Sequence, residues 1–134
     1  MREARCGCGS LRLVAEGEPA LVVQCHCHDC QRRTGAPAGV GAYYPADRIT
    51  VTGDTRAYSR KSDAGRNLTN HFCPACGTTL YWEADALQGL CGVAAGCFND
   101  PDFPAPQRSV FTNRKYAWVH IPDGAEVYER GSMG

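Results

Sequence analysis

The chain is written in short apolar runs, each closed by glycine, proline or a polar turn, and no stretch sustains a helical period. Leu11-Arg12-Leu13-Val14 alternates, Ala20-Leu21-Val22-Val23 is apolar throughout, and Arg48-Ile49-Thr50-Val51-Thr52 is rich in β-branched residues up to the Gly53-Asp54 turn. Such runs predict strands, because side chains alternate between the faces of a pleated backbone and branched residues pack well on it. Thr78-Thr79-Leu80-Tyr81-Trp82 and Leu90-Cys91-Gly92-Val93-Ala94-Ala95 continue the pattern, and Tyr116-Ala117-Trp118-Val119-His120-Ile121 alternates large residues before Pro122. One short helix is predicted near Asp29, where an acidic start leads through Cys30-Gln31-Arg32-Arg33 to a stop at Gly35. The Pro- and Asp-rich segment from Asn99 to Pro106 reads as a surface loop, and Gly131-Ser132-Met133-Gly134 as a frayed tail without an apolar anchor. The expected fold is mainly β, with one core and one domain over residues 1–134.

Charge adds little to this picture. Fourteen Lys and Arg balance fourteen Asp and Glu, so no overall field draws the chain to nucleic acid or to a membrane surface. Arg56, Arg60, Lys61 and Arg66 form the nearest thing to a basic cluster, but Asp54 and Asp63 lie among them, and a solvated loop is expected there.

Cysteine changes the picture. There are nine, an odd number. Met1-Arg2-Glu3-Ala4-Arg5-Cys6 enters a cysteine motif without an apolar leader, and no later run approaches membrane-spanning length. A cytoplasmic protein is expected, and in a reducing compartment clustered cysteines read as metal ligands or reactive thiols rather than as disulfides.

Cys73-Pro74-Ala75-Cys76-Gly77 has the form of a metal knuckle, with proline presetting the first turn position and glycine letting the backbone turn behind the second thiol. A knuckle is half of a tetrahedral Cys₄ site. Cys6-Gly7-Cys8-Gly9 supplies a pair at i and i+2, on one side of an extended segment. Cys25-His26-Cys27-His28-Asp29-Cys30 supplies three sulfurs, one too many to complete a knuckle. The arithmetic therefore puts Cys6, Cys8, Cys73 and Cys76 on a closed structural zinc. Cys25, Cys27 and Cys30 remain for a second zinc with an open position, the pattern of a catalytic site. The alternative for that second site is a closed shell completed by His26, His28 or Cys97; a redox role for Cys27 and Cys30 lacks the βαβ context such motifs require.

The order of these motifs, CxCG, then CHCxxC followed by Gln31-Arg32-Arg33-Thr34-Gly35, then FCPxCG from Phe72 to Gly77, resembles the glutathione-dependent formaldehyde-activating enzyme family, to which centromere protein V is also related. Gly96-Cys97-Phe98-Asn99-Asp100-Pro101, Pro106 and Lys115-Tyr116-Ala117-Trp118 resemble that family's later loop and tryptophan. The resemblance implies a β-tent fold, two zinc ions on the same seven cysteines, glutathione as partner, and condensation of that thiol with formaldehyde to S-(hydroxymethyl)glutathione, formally a carbon–sulfur lyase run in reverse. Around the second zinc, His26, His28 and Asp29 are candidates for proton relay or ligand orientation. Arg32, Arg33 and His28 are candidate substrate contacts, the arginines because a guanidinium binds a carboxylate in two-pronged fashion. A non-catalytic zinc or thiol-binding module, or a protein-interaction domain, is the alternative function.

Overall fold

The computed structural model describes residues 1–62 and 65–131, and its described elements are strands with one short helix. A small antiparallel sheet is formed by β1 (Arg2–Arg5), β2 (Arg12–Ala15) and β5 (Ile49–Thr52) in the order β1-β2-β5. A larger sheet takes β3 (Leu21–Cys25), β4 (Gly39–Pro45), β6 (Arg56–Lys61), β7 (Asn67–Phe72), β8 (Thr79–Ala84), β9 (Leu90–Ala94), β10 (Arg108–Val110) and β11 (Glu126–Val127). Its order is β11-β10-β3-β4-β9-β8-β7-β6, with β10 parallel to β3 and β11 and the other pairs antiparallel. Helix α1 (His28–Thr34) leaves the end of β3; Gly35 ends it in a left-handed conformation at φ 69°, its N–H returning to the Gln31 carbonyl.

Strand alternation decides what each face does. Ala4, Leu13 and Ala15 of the small sheet pack with Val22, Ala42, Tyr44 and Val93 of the large one, closing the main core together with Leu11, Leu80 and Phe98. Val23 and Tyr43, the sequence neighbours of Val22 and Tyr44, fall on the opposite face and line a cavity. In β8 the alternation is broken on purpose. His71 pairs with Tyr81 but Phe72 pairs with Thr79, so Leu80 is an extra residue in the ladder. This bulge lets Leu80 and Tyr81 both pack toward the main core and hands Trp82 to the cavity face. There Trp82 lies over β9, in register with Gly92 and edge-on to Tyr43 at 6.3 Å between ring centroids.

The mainly β expectation holds, and the helix and its glycine stop stand where they were predicted. Two expectations fail. Tyr116–Ile121 is not a strand: β11 already occupies the free side of β10, and the segment turns instead, with Val119 N–H on the Tyr116 carbonyl and Lys115 Nζ 3.0 Å from the carbonyls of Tyr116 and Val119. Its Trp118 is 75% exposed. Arg56, Arg60 and Lys61 are not in a solvated loop but in β6, paired along its length with β7, and only Arg66 sits in a turn. Asp63 of that cluster, and Ser132, Met133 and Gly134 of the predicted tail, lie outside the described residues. Among the described residues no helix is long and apolar enough to cross a membrane.

The Trp82 ring lies so close over β9 that a Cβ on Gly92 would stand 2.1 Å from its Nε1. Gly92→Ala is expected to lower unfolding free energy by about 1–3 kcal/mol through overpacking. Gly96→Ala, whose added carbon meets nothing within 4 Å, should stay within roughly 0.5 kcal/mol of the parent. Urea titration of both variants checks this, and equal midpoints would show that the ring is not seated on Gly92.

Candidate functional site

Two groups of sulfurs form, from the seven cysteines singled out in the sequence. Cys6 and Cys8 lie in the loop from β1 to β2, and Cys73 and Cys76 in the turn from β7 to β8. Their four Sγ atoms lie within 4.8 Å of one another. Cys6 and Cys8 sulfurs are 3.6 Å apart, and those of Cys8 and Cys73 3.7 Å. Those separations are too long for disulfides. They match the edge, about 3.8 Å, of a tetrahedron whose centre is about 2.3 Å from each sulfur, so the donor set fits a thiolate-bound metal.

Local hydrogen bonds shape this group. The loop folds back with Cys6 N–H on the Leu11 carbonyl, Leu11 N–H 3.3 Å from Cys6 Sγ, and Gly9 at φ 82°. The turn closes with Gly77 N–H on the Cys73 carbonyl and Cys73 N–H on the Thr78 carbonyl. Ser10 Oγ stands 3.1 Å from Cys8 Sγ and 3.3 Å from Cys73 Sγ, and Thr78 Oγ1 3.3 Å from Cys76 Sγ. Thr78 hydroxyl and amide donors hold the Cys76 thiol down to about 5. Burial pushes Cys6 up, but the Leu11 amide and neighbouring thiols outweigh it and bring Cys6 to about 7. Ser10 and Thr78 were missed in the sequence, where a single hydroxyl beside a cysteine carries no signal.

The second group is Cys25, Cys27 and Cys30, all half-buried, with sulfurs again within 4.8 Å of one another. Cys25 ends β3, held between Val110 of β10 and Gly39 of β4. Cys27 caps α1, its sulfur accepting the Cys30 N–H at 3.3 Å. Hydrogen bonds from the Cys25 and Cys30 thiols, then the Cys30 amide and nearby Arg60, hold Cys27 down to about 2 against the opposing effect of burial. Contact with Cys27 and Cys30 pushes Cys25 up. Cys30 is lowered by Cys25, but Cys27 and burial outweigh that and leave it at about 11. Three sulfurs this close cannot all ionise unaided. A dication would supply the missing charge, so this donor set also fits a metal.

His26, between two of these cysteines, is fully buried. Its Nε2 lies 2.8 Å from Ser109 Oγ, and that hydroxyl donates to Gln24 Oε1 at 2.9 Å, so Ser109 accepts from His26 and the ring carries its proton on Nε2. Burial lowers the His26 pKa, keeping the ring neutral. The network pins the cysteine loop to β10 and does not reach the cavity lining. Among the described residues, neither Cys91 nor Cys97 joins either sulfur group. Burial pushes both of these thiols up, Cys91 to about 12.

The three-sulfur group opens on the cavity that strand alternation created, whose volume is about 200 Å³. Asp29 and Arg60 meet on its wall at 3.1 Å, with the Arg60 side chain only 18% exposed. Arg33 also lines it, its guanidinium 4.4 Å above the Trp82 ring. Of the predicted substrate contacts, Arg33 thus stands at the cavity, while Arg32 and His28 are exposed on α1 and do not line it. Arg60, Tyr43 and Trp82 were missed. Only the placing of a basic residue inside a strand could have flagged Arg60, and nothing local flagged the aromatics.

Comparison with solved structures finds the crystal structure of a Rhodobacter sphaeroides protein, a structural genomics target, at a TM-score of 0.57 and 17% identity, covering 94% of this chain and 98% of that one. At that identity the likeness is one of fold. Comparison with curated proteins gives no match. The sequence model of the glutathione-dependent formaldehyde-activating enzyme family matches residues 1–114, a span that contains all seven clustered cysteines, Asp29, Arg33, Arg60 and Trp82, and the chain belongs to that family.

Proposed function

We propose that the protein is a zinc-dependent enzyme of the carbon–sulfur lyase type that joins a thiol such as glutathione to formaldehyde, giving S-(hydroxymethyl)glutathione. The observation that carries this reading is a set of three sulfurs on a cavity wall, with no fourth histidine, cysteine or carboxylate ligand atom within 4.8 Å of all three among the described residues. Family membership supports the thiol and the aldehyde. Cys6, Cys8, Cys73 and Cys76 are the ligands of a closed structural zinc in this reading, and Cys25, Cys27 and Cys30 those of a second, open one. A zinc ion held by Cys25, Cys27 and Cys30 would offer a seat for the substrate sulfur and would favour its ionisation.

The chain's own residues do the rest. Addition forms one C–S bond, breaks the C=O π bond and moves the thiol proton to the former carbonyl oxygen, with no redox change. Asp29, held by Arg60 beside the sulfurs, is the carboxylate assigned to carry that proton. Arg33 is the cation assigned to a carboxylate of the thiol; Arg32 and His28, outside the cavity, are left to the outer part of a peptide-like substrate. Such thiol chemistry suits a reducing compartment, and we place the protein in the cytoplasm.

Metal analysis of the purified protein is expected to give about two zinc ions per chain. Cys73→Ser should lose the fold with its metal, because that cluster ties segments about half the chain apart. Cys27→Ser should stay folded and lose one zinc, whereas Cys97→Ser should keep both. Loss of the second zinc from Cys97→Ser would close the site and end the enzyme reading.

Exchange NMR on formaldehyde and glutathione tests the activity itself. The zinc-loaded protein should speed adduct exchange, by roughly 10²-fold or more if proton management and positioning both operate, and Cys27→Ser should abolish that effect. No acceleration from protein carrying both zinc ions would exclude the proposed reaction.

A further inference from the structure

The cavity beside Cys25, Cys27 and Cys30 is larger and more apolar than formaldehyde needs. Beyond the sulfurs and the charged rim its walls are Val23, Tyr43, Leu68, Trp82, Val110 and Phe111. Val23, Trp82 and Val110 are buried. Phe111 holds a left-handed backbone at φ 56°, a conformation a bulky residue rarely adopts, and its ring closes against Gly131. Asp29, Arg33 and Arg60 share the lining with the cysteines, Arg33 lying over the Trp82 ring and Arg60 paired across the ladder with Leu68, and Asn70 and Ser62 complete it.

Volume decides what these walls serve. If they only excluded water from the reacting sulfur they would close upon it, yet about 200 Å³ remains. Apolar cavities of about 150 Å³ stay dry and take up benzene. Formaldehyde, with two heavy atoms, leaves most of this space unfilled. The body of glutathione, with two carboxylates, an ammonium and two amides, suits the charged rim and would pay a heavy desolvation penalty against Leu68, Trp82 and Val110.

We infer that, beside formaldehyde, this protein takes an aldehyde with a compact apolar body of about one aromatic ring, seated against Trp82, Leu68 and Val110 with its carbonyl carbon toward the three cysteines. This rests on the thiol-addition reading above and extends its second reactant from formaldehyde to a larger aldehyde. The reaction balances as before: a C–S bond forms, the C=O π bond opens, and the thiol proton goes to the new hydroxyl, giving a hemithioacetal.

Benzaldehyde is the turnover probe and benzyl alcohol, which forms no adduct with amines, the binding probe. In a Trp118→Phe background Trp82 is the remaining tryptophan, and benzyl alcohol should change its fluorescence saturably. Zinc-loaded protein should accelerate glutathione exchange with benzaldehyde at least as well as with formaldehyde. Leu68→Trp, which fills the cavity, should shift the benzaldehyde-to-formaldehyde rate ratio by about tenfold toward formaldehyde, equivalent to a modest loss of apolar contact. Should that variant not fold, as judged by its circular dichroism and melting, Leu68→Ala should weaken benzyl alcohol binding through lost contact.

Acceleration with formaldehyde but not benzaldehyde would overturn the inference and leave the broader reading standing. Acceleration of neither, with both zinc ions bound, would remove the broader reading and this one with it. Exchange of formaldehyde with phenylmethanethiol, but not of benzaldehyde with glutathione, would place the apolar body on the thiol and overturn the aldehyde assignment. A flat fluorescence titration would show that the cavity takes no ring and overturn it as well.

Discussion

Four sulfurs from segments about half the chain apart meet between the two sheets. Cys6 and Cys8 leave the small sheet and Cys73 and Cys76 leave the large one, and the separations of 3.6 and 3.7 Å bring them as close as sulfurs on one tetrahedral ion. Cys6 and Cys73 are themselves buried in the main core beside Leu11, Leu13 and Leu80. Apolar packing and sulfur chemistry therefore act on the same residues. The core contribution needs no cation, whereas close approach of four thiolates would, because repulsion among thiolates grows as they are drawn from water. Under the zinc reading the ion converts that repulsion into the cross-link that a small, loop-rich chain otherwise lacks.

The three-sulfur group is built on different terms. Its sulfurs come from one short stretch at the end of β3 and the start of α1, so their proximity is local and closes no long loop. Rigidity comes from around it: the β10 and β4 ladders flank Cys25, the Cys30 amide bonds to Cys27, and His26 is locked through Ser109 to Gln24. A buried, neutral histidine inside the ligand motif is thus a fastening of the loop, while the groups that face the cavity are Asp29 and Arg33. The Asp29–Arg60 pair joins α1 to β6, an edge strand of the large sheet, and holds a carboxylate and a cation beside the sulfurs. Removing Asp29 would leave the poorly hydrated Arg60 guanidinium without that partner near the site.

A single extra residue links the fold to the cavity. Without the bulge at Leu80, strict alternation would send Leu80 and Trp82 to one face. With it, Leu80 fills the core and Trp82 lies over Gly92 and Gly41 as a cavity wall, supporting Arg33 on its exposed side. The cavity wall beside the sulfurs is in this way set by backbone register.

Ligand chemistry was legible in the amino-acid sequence because it is local: CPxCG, CxCG and CHCxxC declare themselves by spacing, and the glycine stop of α1 and the apolar runs of β2, β3, β5, β8 and β9 do so by pattern. Motif order was enough for the family. Where the backbone had to choose partners, pattern was insufficient. Tyr116–Ile121 has the alternation of a strand but no free edge to join, and Arg56–Lys61 has the polarity of a loop yet pairs with β7 because β7 offers it a complete ladder. The cavity was invisible for the same reason: Tyr43, Trp82, Arg60 and Phe111 come from four distant segments, and which face each presents depends on a bulge, on parallel pairing at β10 and on a left-handed residue. The sequence by itself determined which atoms can bind metal; only the tertiary structure decided what stands opposite them, since that depends on contacts between residues far apart in the chain.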